Sequence, residues 1–134
     1  MDLTTVLVAV VAAVVGAGLV ASFAWALLRR TDRAQDAFPG VLTACEQEGD
    51  LRTVTFAAGM SVQERIVDVD DTRRRLAYAI VGRGFDHHSA SMQALDEGEG
   101  CSRFLWTTDF IGEAPMLRPL MEQGAEAFAR AVAA

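Results

Sequence analysis

Apolar and polar residues alternate with a period of two through the middle of the chain, and near its end the period changes to 3.6. Between residues 41 and 110 the alternation is broken by turn signals at Glu48-Gly49-Asp50, Ala58-Gly59-Met60, Asp70-Asp71-Thr72, Gly82-Arg83-Gly84 and Glu97-Gly98-Glu99-Gly100. The pattern predicts strands over 41–47, 51–56, 61–69, 74–81, 87–95 and 102–110, an antiparallel meander. After Gly112 and Pro115, apolar residues recur at Leu117, Leu120, Met121, Gly124, Phe128, Ala131 and Val132. That spacing predicts an amphipathic helix, with Arg118, Glu122, Glu126 and Arg130 outward. Pro119 falls in its opening turns, where a missing N–H costs least.

Strand parity sorts the side chains into two faces. One face carries Val54 and Phe56, then Val62, Glu64 and Ile66, then Leu76, Tyr78 and Ile80. It continues with His88, Ala90 and Met92, and with Phe104, Trp106, Thr108 and Phe110. The other face carries Gln63, Arg65, Arg75, His87, Ser89, Ser91 and Gln93 and is expected to be wet.

The N-terminus admits two readings. No charged residue occurs from residue 6 to residue 28, and Arg29-Arg30 follows, which meets the length and charge rules for a membrane anchor. A signal peptide would also be apolar, although no basic residue precedes this run. The run is rich in Ala and Gly, however, and its propensities change along it. Thr4, Thr5, Val6, Val8, Val10 and Val11 favour a strand, whereas Ala24, Ala26, Leu27 and Leu28 favour a helix. The second reading is therefore a strand over 3–11, a hinge at Gly16 and Gly18, and a helix over 20–30.

Composition narrows the classes. With 134 residues, 51% hydrophobic and 22% charged, the chain has the make-up of one globular domain spanning residues 1–134. The net charge is −6, and all 12 basic residues are arginines, with no basic run long enough to follow a phosphate backbone, so nucleic acid is excluded as a partner. Arg73-Arg74-Arg75 follows Asp68, Asp70 and Asp71 and reads as a self-paired turn. Cys45 and Cys101 have neither CxxC spacing nor a completing histidine set; they read as thiols in a reducing compartment, with a disulfide left open. His87 and His88 point to opposite faces of one strand and cannot share a metal ion. No cofactor is expected.

The order of elements resembles the SRPBCC or START-like superfamily of polyketide cyclases/dehydrases and lipid-transport proteins. The resemblance is carried by Trp25-Ala26-Leu27-Leu28-Arg29-Arg30, Phe38-Pro39-Gly40-Val41, Val54-Thr55-Phe56, Gly59-Met60 and Glu64-Arg65-Ile66-Val67-Asp68. It continues through Arg75-Leu76-Ala77-Tyr78, His87-His88-Ser89-Ala90-Ser91 and Trp106-Thr107-Thr108-Asp109 to the closing helix. None of these fragments is a catalytic signature. The resemblance implies an α+β helix-grip fold, in which a curved antiparallel sheet of about seven strands surrounds a long C-terminal helix. It implies an internal cavity for a lipid, polyketide or aromatic metabolite. A missing first strand would leave the sheet incomplete, so it favours strand plus helix over the anchor. The expected protein is cytoplasmic, as a monomer or homodimer, the alternative being attachment to a membrane through residues 6–28.

The candidate ligand-binding residues are Arg52, Val54, Phe56, Glu64, Tyr78, His88, Met92, Trp106, Met121, Gly124 and Phe128. His88, Glu64 and Tyr78 are the candidate catalytic set: His88 and Glu64 could act as an acid/base pair and Tyr78 could donate to a ligand carbonyl. The plainer reading is a buried hydrogen-bond network closing one end of the cavity. Arg52 shares the parity of Val54, and pairing with Glu64 would remove Glu64 as an acid. Gly124 reads equally as a close-approach or a packing glycine. Met92, Met116 and Met121 suit either an adaptable wall or ordinary core.

Overall fold

The computed structural model describes residues 3–13, 20–98 and 100–133, and the hinge expected at Gly16 and Gly18 lies outside them. Seven strands form one antiparallel sheet: β1 (Thr4–Ala13), β2 (Leu42–Glu48), β3 (Leu51–Phe56), β4 (Ser61–Asp70), β5 (Arg75–Val81), β6 (His87–Gly98) and β7 (Cys101–Ile111). Their spatial order is β1-β7-β6-β5-β4-β3-β2, so the meander runs back to the first strand. Helices α1 (Val20–Leu28) and α2 (Ala34–Ala37) join β1 to β2, and α3 (Leu117–Ala133) closes the chain. This is the helix-grip arrangement.

The apolar N-terminal run is divided between two elements. Thr4 to Ala13 pair residue by residue with Phe110 to Cys101 of β7. Helix α1 buries Ala21, Ala24, Trp25 and Leu28, a single stripe at helical spacing. Among the described residues no helix is long and apolar enough to cross a membrane. Two contacts dock α1 on the β4–β5 turn: Trp25 Nε1 donates to Asp71 Oδ1 at 2.8 Å, and Arg29 Nε donates to the same oxygen at 2.9 Å. The arginine-rich turn is thus only partly self-paired. Asp70 accepts from the backbone N–H groups of Thr72 and Arg73, while Asp71 reaches across to α1.

The predicted strands stand at their places, with no end moved by more than three residues. All fifteen residues assigned to the inner face are buried or half-buried, and the outer set is exposed or half-exposed. Register shifts occur between Leu42 and Ala44, between Ile66 and Asp68, and between Asp96 and Gly98. Such bulges bend the strand that carries them and so curve the sheet. The bulge at Val67 leaves that side chain 65% exposed, with Val69 37% exposed beyond it. Cys45 on β2 and Cys101 on β7 are separated by four strands, too far to bridge.

Helix α3 differs from its predicted stripe in one respect. Its most deeply buried residues include Ala125 and Ala127, both 0% exposed, whereas Leu120 and Ala131 are only half-buried. The helix lies across β1 and reaches β7, α1 and α2. Small residues on that side let the backbones approach. Phe128 meets the rings of Phe104 at 4.5 Å and Phe38 at 5.8 Å. Gly124 faces Trp106, and a Cβ there would stand 2.8 Å from the indole Cζ3. The indole is itself packed on Phe38 and Phe104 and has little room to retreat.

The β5–β6 ladder is short: it pairs Arg75–Tyr78 with Gln93–Ala90 and then stops. Past that point the Ile80 N–H is bound by the imidazole of His88, whose Nδ1 accepts it at 2.9 Å. His88 therefore replaces a missing backbone acceptor where the strands diverge. Burial holds its pKa down at about 4, and the neighbouring His87, when charged, pushes the same way. Protonation at Nδ1 would also remove the acceptor.

Two predictions follow from this packing. Gly124→Ala should destabilise the fold by about 1–3 kcal/mol, through overpacking against Trp106, in chemical denaturation. Below pH 6.5 the unfolded chain gains a proton on residue 88 that the folded chain refuses until about pH 4. Stability should accordingly fall as pH drops through that window, by on the order of 1–2 kcal/mol after allowance for partial solvent screening. His88→Asn, which keeps an acceptor for Ile80 but does not titrate, should show a flatter pH profile by the same measurement.

Candidate functional site: a cavity with one polar end

Because the sheet curves away from α3 on the side of β3, β4 and β5, the two layers do not meet there. Between them lies a cavity of about 230 Å³, walled by the sheet, by α3 and by the segment leading into it. Nine residues expected from strand and helix parity line it: Arg52, Val54, Phe56, Glu64, Tyr78, Met92, Trp106, Met121 and Gly124. Two do not. Phe128 belongs to the aromatic core with Phe38 and Phe104, and His88 stands behind the wall, its ring 6.0 Å from that of Tyr78 and 5.1 Å from that of Phe85.

Arg52 and Glu64 face each other in register on β3 and β4. The guanidinium Nε donates to Glu64 Oε1 at 2.8 Å and Nη1 donates to the Thr31 carbonyl at 3.1 Å. Both residues are buried, at 3% and 8% exposure. The guanidinium carbon also lies 5.6 Å from the centre of the Tyr78 ring, within cation–π range. The second carboxylate oxygen of Glu64 makes no hydrogen bond to a described residue, and Glu64 borders the cavity. Glu64 is thus tied to a buried guanidinium through one oxygen while the other is turned to the cavity side.

Tyr78 completes the polar end. Its oxygen accepts a hydrogen bond from Trp106 Nε1 at 2.9 Å, and its own O–H donates to none of the described residues. Burial first, and then the negative charge of Glu64, push its ionisation far above the ordinary phenol range, so it stays a neutral donor. Trp106 thereby has three tasks: it fixes the Tyr78 oxygen, packs on Gly124 and forms part of the cavity wall.

The proposed acid/base pair of His88 and Glu64 does not assemble in this geometry. The lone pair of His88 Nδ1 is committed to Ile80 N–H, and Glu64 is held by Arg52. Asp109, on the outer face of β7, accepts from Thr5 of β1.

Sequence reasoning missed the loop-borne part of the wall. Phe38 comes from the α2–β2 joint and Phe85 from the β5–β6 loop. Met60, Arg83, Glu113 and Met116 surround the opening and are exposed. Periodicity carries no information about such positions; only Met116 drew notice, as part of an adaptable wall. Among the described residues no cluster of His, Cys, Asp and Glu could hold a metal ion.

Solved structures share this architecture. XoxI from Bacillus cereus superposes with a TM-score of 0.78 at 16% identity, covering 98% of this chain and 96% of its own. Norcoclaurine synthase from Thalictrum flavum, in complex with dopamine and hydroxybenzaldehyde, superposes at 0.72 with 15% identity, over 98% and 87% of the two chains. The Zhui aromatase/cyclase of a Streptomyces species gives 0.71 at 22% identity over 98% and 92%. At these identities the likeness is one of fold. No curated protein matches the chain in sequence. The family described as polyketide cyclase/dehydrase and lipid transport matches residues 10–134, and with nearly the whole chain inside that match, the protein belongs to this family.

Proposed function

We propose that the protein binds a small aromatic molecule bearing a hydroxyl or carbonyl, with its ring in the apolar part of the cavity and its oxygen at Tyr78. The observation that carries this is the Tyr78 hydroxyl, buried, neutral and undonated, at the one polar end of an apolar hollow. Size narrows the class. An apolar cavity of about 150 Å³ accepts benzene, while pockets for drug-sized ligands start near 300 Å³. A volume of about 230 Å³ therefore suits one or two rings and is small for a sterol or a two-chain lipid. The family, and fold neighbours named for an aromatase/cyclase and for a complex with dopamine and hydroxybenzaldehyde, are consistent with it.

The cyclase or dehydratase reading, with His88, Glu64 and Tyr78 as chemical groups, is less well supported. The acceptor nitrogen of His88 is occupied and its pKa is low, and Glu64 is held in an ion pair by Arg52. Binding with orientation by Tyr78 needs neither group to move a proton.

The test is a pair of probes followed by fluorescence or calorimetry. Wild-type protein should bind 2-naphthol about three- to tenfold more tightly than naphthalene, the worth of one hydrogen bond. Tyr78→Phe should abolish that preference while still binding naphthalene. Equal affinities in the wild type, or a preference that survives Tyr78→Phe, would overturn the assignment. The ion pair gives a second check. Arg52→Met alone should cost about 3–5 kcal/mol of stability by stranding Glu64, and Arg52→Met with Glu64→Leu should recover most of it in denaturant titrations.

A further inference from the structure

His88 has a second nitrogen that the fold does not use. Its Nδ1 accepts from Ile80 N–H, so the neutral ring carries its proton on Nε2, which is a donor. The residue is more than nine-tenths buried, and Nε2 has no partner among the described residues. Thr108, 1% exposed, is the same: its Oγ1 has no partner among the described residues. The two residues are diagonal neighbours, since His88 opposes Phe110 and Ala90 opposes Thr108 across β6 and β7. Diagonal neighbours on one face of a sheet have their backbones about 7 Å apart, within reach of long side chains that lean toward a shared ligand atom.

What separates His88 from the cavity is aromatic. Phe85 borders the cavity on one side and meets the His88 ring on the other, and Tyr78 does likewise. Tyr78 is fixed in a strand and by Trp106, but Phe85 sits on a loop. That loop holds three successive left-handed residues, Gly82, Arg83 and Gly84, with φ of 77°, 62° and 76°. Arg83 is not a glycine, so its backbone is strained there, and strain of this kind persists only where other contacts hold it. The Arg83 guanidinium donates to the Ser61 carbonyl at the start of β4, and Asp86 N–H donates to the Ile111 carbonyl at 2.8 Å. Phe85 is half-buried between these ties.

We propose that His88 Nε2–H and the Thr108 hydroxyl form a second polar subsite behind Phe85, which takes the far oxygen of an elongated two-ring ligand once the Phe85 ring turns aside. This rests on the cavity reading above and extends it: the ligand class becomes an aromatic with two oxygens at opposite ends, one at Tyr78 and one at His88. A buried donor and a buried hydroxyl that both lack partners are costly to retain. A ligand oxygen accepting from Nε2 and bonded to Thr108 satisfies both at once, and turning Phe85 supplies the added length.

The experiment compares 2-naphthol with naphthalene-2,6-diol. Wild-type protein should bind the diol about three- to tenfold more tightly. His88→Asn keeps the acceptor for Ile80 but removes the far donor, and it should bring the ratio down to about two, the statistical factor for a ligand with two equivalent hydroxyls; His88→Gln, which places an N–H near the position of Nε2, should restore part of it. In wild-type protein labelled with ¹⁵N in histidine, the diol should shift the His88 Nε2 resonance and 2-naphthol should not. Thr108→Val should lower the ratio without loss of stability. An unchanged ratio in His88→Asn, or an unmoved Nε2 resonance with the diol bound, overturns the subsite. If 2-naphthol still shows its Tyr78-dependent preference, the cavity reading survives that failure. If the wild type binds neither naphthol, both fall together.

Discussion

The contact of Trp106 with Gly124 sets the spacing on which the rest of this structure depends. A glycine at that point of α3 lets the indole lie against the helix backbone, and the indole props the helix off the sheet. On one side of this prop the layers close into the cluster of Phe38, Phe104 and Phe128. On the other side they stay apart, and the hollow remains. The indole N–H is also directed onto the Tyr78 oxygen, so one residue determines both the width of the cavity and the orientation of its donor.

The polar end is built on strand register. Arg52 and Glu64 are opposite one another in an antiparallel pair, and Tyr78 is on the next strand, on the same face. A buried ion pair contributes little net stability compared with an apolar pair of the same volume. It does hold two charges in fixed positions at the wall of the hollow. Such placement suits recognition of a polar group on an otherwise apolar molecule.

The sheet is continuous at one place and interrupted at another, and both matter. From β6 through β7 to β1 the ladder is long. Between β5 and β6 it covers four pairs and then gives way to a side chain, His88, and a loop that carries Phe85. The interruption is where the wall of the cavity is made from a loop instead of a strand. Buried polar atoms without partners lie just behind it.

Much of this was legible in the sequence, for a physical reason. Period-two and period-3.6 patterns record which side of an element meets water, so the six middle strands, their inner faces and α3 could be read directly. So could the pairing of Arg52 with Glu64, because parity put both on the inner face of neighbouring strands. Propensity alone left the apolar N-terminus divided between two readings; only pairing of Thr4 to Ala13 with β7 decided it, since the backbone groups of β7 need a partner on that edge. The fate of His88 was a tertiary matter too. Its parity was correct, but the divergence of β5 and β6 turned its nitrogen toward Ile80 and placed Phe85 in front of it. The loop residues at the opening have no periodicity to be read. Their position follows from where the strands end in space, which the order of residues does not state.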